Sequence, residues 1–304
     1  MGEYSVRVAG DADMPGVREV ASHFELLDDW EGMPDFLDAE REFGTLLVGE
    51  VDGRVVGFGG VIRRGEVSHL GDLFVLPDHQ SSGIGRTILS RLLPSDTPRV
   101  TFASDDPRAL GLYIRQGMRP VCPLIYLIHH PGEDSGPRGS GVRDEKAPDG
   151  PSARGPLAGP RAEAGGPSSM REASMREAGV REAVKLDARI SGGDRAGALA
   201  WYAGLPGVTV HVTGGGYAFA RRTVEDLEVG PVGGETPQDC ADAVFAAVAA
   251  HPGVDEVQVA VPGVHPLLPR LLDAGWEIDD MDTFMSTEPG LVRLDRYLPH
   301  TDLG

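Results

Sequence analysis

The chain has 304 residues, 40% of them apolar, and its 28 basic against 47 acidic side chains leave a formal net charge of −19. This length predicts two domains, and so acidic a surface argues against nucleic acid and anionic membranes as partners. The two cysteines, Cys122 and Cys240, are too few for a disulfide scaffold or a cysteine-based zinc site. Because neither a signal-peptide core nor an apolar run of membrane length is evident, we expect a cytoplasmic protein.

The first part of the chain alternates apolar and polar residues in the manner of a half-buried sheet. Strands are predicted at 5–8, 45–51, 54–62 and 67–76, and Asp52-Gly53 between the second and third predicts a tight hairpin. Helices follow at 84–93 and 107–116, alternating with strands at 99–103 and 120–128. Hairpins that lead into a β-α-β-α-β order predict a mixed α/β sheet with helices packed on it.

The middle of the chain has a different composition. Residues 131–168 contain 7 prolines and 9 glycines in 38 positions, so they bury too little apolar surface to offset their conformational entropy. A five-residue repeat from Ser169 to Ala183 follows, and its period matches neither 3.6 nor 3.5, which favours transient helix at most. We therefore predict a disordered, Gly/Pro-rich linker over 131–180.

After the linker the order of elements partly repeats. Strands are predicted at 183–190, 209–212, 217–221, 226–232, 256–261 and 276–285. Helices are predicted after Asp194, at 237–250 and at 266–274. Both halves end in the order strand–helix–strand–helix–strand, which indicates a duplicated fold of the α+β type. It comprises a domain at 1–130, a second at 181–290 and a tail at 291–304.

The segment from Leu73 to Arg86 has the features of a phosphate-binding loop. An apolar strand stops at Pro77, and Gly83 and Gly85 open an amphipathic helix, whose free N–H groups favour a pyrophosphate. A Walker loop would need a lysine where Arg86 stands. The dinucleotide fingerprint would need a third glycine where Ile88 stands, so neither motif is present.

This segment resembles the acetyl-CoA pyrophosphate loop of the GNAT N-acetyltransferase superfamily, Gln/Arg-x-x-Gly-x-Gly/Ala directly after a strand. Residues 106–118 resemble that family's Asn-x-x-Ala-x-x-Leu-Tyr-x-x-x-Gly-Phe segment, with Asp106 in place of Asn and Met118 in place of Phe. The resemblance covers about residues 4–129. The second half, at residues 186–195 and 229–231, resembles the degenerate C-terminal domain of tandem GNAT proteins, and Glu235 stands where a phosphate would lie.

The resemblance implies an N-acetyltransferase in which an amine attacks the thioester of acetyl-CoA directly, without a metal. Tyr113 would be the general acid, and Asp72 would be the base, a solvated strand-face carboxylate being an equally good interpretation. Acetyl-CoA would be the co-substrate. The residues implied in its binding are Phe74, Val75, Gln80, Ser81, Gly83, Ile84, Gly85, Arg86 and Asp106.

An acidic stretch between residues 19 and 40 contains eight carboxylates and no lysine or arginine. The resemblance places part of the acceptor site here, so Asp28, Asp29 and Trp30 are expected to bind a small, cationic primary amine, a solvated helix face being the alternative. A non-catalytic acyl-CoA sensor or protein-interaction module is the alternative function. We expect the two domains to pack on each other, and a homodimer stays open.

Overall fold

The structure is a computed structural model that describes residues 3–30, 32, 34–94, 96–132, 167–224 and 226–304, with side chains described from residue 176 onward in the helix that begins at 167. None of the helices in these ranges combines the length and the apolarity needed to cross a membrane.

The first half follows the predicted order of elements. Its strands are β1 (Tyr4–Val8), β2 (Gly44–Val51), β3 (Arg54–Arg64), β4 (Val67–Val75), β5 (Arg99–Ala103) and β6 (Arg119–His129). Its helices are α1 (Met14–His23), α2 (Phe36–Phe43), α3 (Ile84–Leu92) and α4 (Pro107–Arg115). β1 to β4 pair antiparallel in sequence order, and β5 joins β4 in parallel. The strand and helix predictions for this half are confirmed.

The second half has a similar series. Its strands are β7 (Val208–Val212), β8 (Gly216–Arg222), β9 (Asp226–Gly234), β10 (Glu256–Pro262), β11 (Glu277–Ser286) and β12 (Tyr297–Leu298). Its helices are α5 (Pro167–Ile190), α6 (Ala196–Gly204), α7 (Pro237–Ala249) and α8 (Leu267–Asp273). Asp194 is not the N-cap that was predicted, because Arg195 holds that position, but its carboxylate accepts the N–H of Ala196, the first residue of α6, at 2.8 Å.

The prediction of a strand at 183–190 is wrong, because these residues form the last turns of α5. Ala183, Leu186 and Ile190 are buried, and their spacing of three and four residues places them on one face of a helix. α5 also reaches back to Pro167 into the predicted linker, and residues 133–166 of that linker lie outside the described residues. The domain boundaries stay predictions.

All the described strands belong to one mixed sheet, in the order β1-β2-β3-β4-β5-β11-β6-β10-β9-β8-β7, with β12 beside β9. The two halves exchange their last long strands: β11 of the second half pairs antiparallel with β5, and β6 of the first half pairs antiparallel with β10. β11 and β6 then pair with each other at the centre. The mixed α/β fold is thus confirmed, while the exchange was not predicted.

The apolar core crosses the boundary between the halves. One cluster of buried side chains joins Phe36 and Phe58 of the first half to Tyr202, Phe219 and Leu303 of the second. The opposite face of the first half is covered by α3 and α4, and that of the second half by α7 and α8. Shared burial of this kind fixes the position of one half against the other.

Candidate active site

The site begins at an open edge of β4. β4 pairs with β5 only over Ser68–Leu70, so on this side the described strands leave residues 71–75 unpaired. On its other side Gly60 faces Asp72 while Val61 faces Leu70, which makes Gly71 an extra residue, a β-bulge. Unpaired N–H and C=O groups can bind an extended ligand, and the bulge changes the direction of the Asp72 side chain.

The loop after β4 turns sharply before α3. Ser81 and Gly83 both have positive φ, at 61° and 99°, and α3 begins directly after Gly83. The N–H groups of the first helical turn have no intrahelical acceptor and lie at the positive end of the helix dipole. The side chain of Gln80 ties this loop to its surroundings, since it donates to the Val75 carbonyl at 3.1 Å and accepts from Arg108 at 2.9 Å.

A groove of about 530 Å³ runs along this loop towards α4. Most of the residues predicted to bind the cofactor line it, and their binding role stays a prediction. They are Val75, Gln80, Ser81, Gly83, Gly85, Arg86 and Asp106. Phe74 lines the adjoining cavity instead, and the Ile84 side chain is buried in the core, which leaves only its backbone N–H for a ligand.

Tyr113 stands where the groove meets a larger cavity, because its side chain lines both. Asp106 begins α4 as its N-cap and accepts the Arg108 N–H at 2.8 Å, which fixes the helix that carries Tyr113. Burial and then the neighbouring Asp72 raise the pKa of Tyr113, so the hydroxyl keeps its proton at neutral pH. A protonated phenol at this junction can serve as a proton donor.

The larger cavity has a volume of about 830 Å³ and is lined by both halves of the chain. Apolar side chains such as Phe24, Phe36 and Phe102 form part of its wall. Among its lining residues nine are acidic and one, Arg108, is basic, and Arg108 is paired with Asp106 at 2.8 Å. The cavity therefore favours a cationic ligand.

Asp72 lies in this cavity beside a carboxylic acid that the sequence analysis did not single out. Glu40 is fully buried, and its carboxylate oxygens meet no N–H or O–H donor of the described residues, only the Asp72 carboxyl. Two buried carboxyls in contact cannot both ionise, so one proton is shared between them. Burial raises the pKa of Asp72 to about 7, and hydrogen bonding from Glu40 opposes that rise.

Two glycines make the space that Glu40 occupies. A Cβ atom built on Gly60 would lie 1.8 Å from one Glu40 carboxylate oxygen, and one built on Gly71 would lie 2.5 Å from the other. The pair of glycines on neighbouring strands is therefore a niche for this carboxyl group. The sequence does contain a pattern that indicates the burial of Glu40, because helical spacing places it on one face with Phe36 and Leu37.

The far end of the cavity is built by the second half. Glu228 of β9 forms an ion pair with Arg221 at 2.8 Å and accepts a hydrogen bond from Thr301 at 2.8 Å. Asp302 accepts a hydrogen bond from the Trp30 indole at 2.8 Å. Burial and then the Glu228 carboxylate raise the pKa of Asp302 to about 8. No local sequence pattern pointed to Asp302 or Glu228.

Of the residues predicted to bind the acceptor, only Asp29 lines the cavity. Asp28 is exposed and does not line it. Trp30 is buried behind the wall, where Arg221 stacks over its ring at 4.2 Å, so that it supports Asp302 from outside the cavity. A direct contact between these three residues and a substrate stays a prediction.

Three side chains of types that can bind a metal ion also lie close together here, namely Glu228, His300 and Asp302. The Nδ1 atom of His300 accepts the backbone N–H of Asp302 at 3.0 Å, so Nε2 carries the ring proton and has no lone pair for a metal. Arg221 beside Glu228 adds a positive charge. The donor set does not suit a metal ion, and the predicted absence of a metal stays a prediction.

Among the described residues, the second half has no equivalent open edge. β9 pairs with β10 over residues 226–229 and then with β12 over residues 232–233, where β4 leaves residues 71–75 unpaired among the described strands. Thr236 and Asp239 cap α7 reciprocally, and Arg189 binds Glu235 at 3.0 Å. β12 thus covers the strand edge that would hold pantetheine, and the Glu235 carboxylate stands at the loop before α7.

Comparison with known proteins agrees with this geometry. Residues 13–118 match the model of the acetyltransferase (GNAT) family. Sequence comparison finds no match among the curated proteins.

Solved structures similar to the chain extend over nearly all of it. A putative acetyltransferase from Pyrococcus horikoshii is 16% identical with a TM-score of 0.65, covering 99% of this chain and 96% of that one. A tandem GNAT protein from the clavulanic acid biosynthesis pathway is 14% identical with a TM-score of 0.54, covering 94% and 99%. A GCN5-related N-acetyltransferase from Sphaerobacter thermophilus is 17% identical with a TM-score of 0.50, covering 93% and 95%. At these identities the likeness concerns the fold.

Proposed function

Because residues 13–118 form a domain of the GNAT acetyltransferase family, whose members transfer acyl groups from acetyl-CoA, we propose that this protein acetylates a primary amine of a small, cationic acceptor. The observation that carries the proposal is the position of Tyr113 between a groove that suits a pyrophosphate and an acidic cavity. We also propose that the protein is cytoplasmic.

The reaction would proceed in the following way. The acceptor enters the acidic cavity as an ammonium ion and gives one proton to the ionised carboxyl of the Asp72–Glu40 pair. The neutral nitrogen attacks the acetyl carbonyl, whose oxygen the free N–H of Val75 would polarise. The new C–N bond forms as the C–S bond breaks, and the leaving thiolate takes the proton of Tyr113. The nitrogen of the new amide then gives its second proton to the Tyr113 oxygen, and the Asp72–Glu40 pair returns its proton to solvent.

Replacement of the proposed acid tests this scheme. In Tyr113→Phe we expect kcat for thiol release from acetyl-CoA to fall about 10²- to 10⁴-fold, because the phenyl ring keeps the packing but has no proton to give. The measurement is thiol release with a panel of polyamines, amino sugars, amino acids and peptide N-termini. Calorimetry with CoA is the control and should give the same affinity for both proteins.

Two results would contradict the proposal in different ways. If neither the wild type nor the variant binds CoA, the groove is not a cofactor site. If CoA binds but no amine in the panel is acetylated, the chain is the acyl-CoA sensor that the sequence left as its alternative.

A further inference from the structure

The acidic groups of the large cavity line the same space as Tyr113. Asp72, Asp282 and Asp106 are the carboxylates that raise the pKa of Tyr113. The carboxylates that raise the pKa of Asp302 are Glu228 and then Asp72. Asp72 therefore acts on both Tyr113 and Asp302, and these three residues, the last from the second half, line the same cavity.

At the far end of the cavity the charges are unequally compensated. The Glu228 carboxylate already has Arg221 as a partner at 2.8 Å. His300 is neutral, since burial lowers its pKa to about 4. Asp302 has one hydrogen bond from the uncharged Trp30 indole, and no cation pairs with it among the described residues. The other charged groups that act on it are Asp72 and Arg221.

The cavity is a second feature that points to a ligand here, because the same space of about 830 Å³ borders Tyr113, Asp72 and Asp302. Nε2 of His300 is buried and lies 3.5 Å from the Glu228 carboxylate, in the same group of atoms as the Asp302 carboxylate. Asp302 itself is half-buried and lines the cavity rather than the core. A carboxylate in such a place is costly to ionise unless a cation joins it.

We propose, on the basis of the acetyl transfer proposed above, that the acceptor is a diamine or polyamine whose second ammonium group is held by Asp302 at the far end of the cavity, while its first amine reacts between Asp72 and Tyr113. The second ammonium donates hydrogen bonds to the Asp302 carboxylate and takes no part in the chemistry. Specificity for the acceptor is then set by the second half of the chain, whose own strand edge is covered by β12.

The proposal predicts a preference for two charges over one. We expect kcat/KM for one or more α,ω-diamines of three to six carbons to exceed that of the n-alkylamine of equal length by at least about tenfold. In Asp302→Asn this ratio should fall to about threefold or less, with little change for the monoamines. The asparagine oxygen can still accept the Trp30 N–H, so we expect the fold to persist. Asp273→Asn, an exposed carboxylate outside the cavity, is the matched control and should keep the wild-type ratio.

Binding separates this proposal from the proposed reaction. Calorimetry in the presence of CoA should give tighter binding of the preferred diamine than of its monoamine, and in Asp302→Asn the difference should disappear. A diamine that binds in this way but is not acetylated contradicts the reaction and supports the subsite. Equal binding and equal turnover of every matched pair by the wild type would overturn the subsite, whether or not amines are acetylated.

Discussion

At the scale of single residues, the feature with the clearest chemical consequence is Glu40. Its carboxyl group is 0% exposed, lies in a niche between two glycines and contacts Asp72. Burial raises the pKa of Glu40 well above the usual range, so this carboxyl group keeps its proton. The proton that Glu40 donates lowers the pKa of Asp72 and so keeps a base available near neutral pH. Glu40 is thus a positioning residue in the proposed reaction.

Glu40 substitutions should move the pH dependence of acetyl transfer in a defined direction. Asp72 acts as a base when ionised, so kcat/KM should rise with pH through an acidic limb near its pKa of about 7. Glu40→Met removes the hydrogen-bond donor, and we expect the limb to move up by about one unit. Glu40→Gln keeps an N–H donor and should leave the limb near its wild-type position.

The measurement is kcat/KM against pH with the same amine for all three proteins. A merely structural role for Glu40 would lower activity at every pH without moving the limb. If the limb of Glu40→Met coincides with that of the wild type, Asp72 does not depend on Glu40 for its protonation.

At the scale of elements, the strands β4 and β9 differ in one feature, the pairing of their second part. Both strands pair with a parallel neighbour over their first part only. The remaining edge is free in β4 among the described strands, whereas β12 covers it in β9. A two-residue strand therefore decides which half can take an extended cofactor arm.

This difference predicts one acetyl-CoA site per chain. Gly85→Asp places a carboxylate at the start of α3, where it would repel a pyrophosphate, and its Cβ would meet only the Val75 side chain at 3.6 Å. We therefore expect titration calorimetry to give one CoA per chain for the wild type and no binding for this variant. Gly214→Asp, at an exposed glycine with open space around it in the second half, is the matched control and should bind normally.

A stoichiometry of two, or a Gly85→Asp protein that still binds one CoA, would show that the second half takes the cofactor despite β12.

At the scale of the whole molecule, the exchanged strands make the two halves interdependent. β11 completes the sheet of the first half beside β5, and β6 completes that of the second beside β10. Neither half keeps its own last long strand at its own sheet. Since the larger cavity lies where the halves meet, its shape depends on this exchange.

We expect the described halves to unfold as one unit. Differential scanning calorimetry should give a single transition with equal calorimetric and van't Hoff enthalpies, because unfolding either half would remove a strand from the other. Acetyl-CoA, which we propose binds only the first half, should shift this single transition upward. Two transitions, of which only one shifts with acetyl-CoA, would mean that the halves unfold independently.

The sequence by itself determined most of the elements and the loop before α3. The turn at Gly83, the cap at Asp106 and the alternation of β2 and β3 depend on residues within a few positions of one another, so local patterns predict them. The strand prediction at 183–190 failed because a short apolar run is compatible both with the period of a strand and with that of a helix. The buried position of Glu40 could have been predicted from the helical spacing of its neighbours.

Only the tertiary structure decided the far wall of the cavity and the pairing of the halves. Asp302 reaches Trp30 across 272 positions of sequence, and no local pattern encodes a contact of that range. The alternation in β6 is compatible with pairing to β5 or to β10. Alternation determines which side chains lie on each face of an antiparallel sheet, but it does not determine which strand is the neighbour. The choice between them depends on the burial of both halves together.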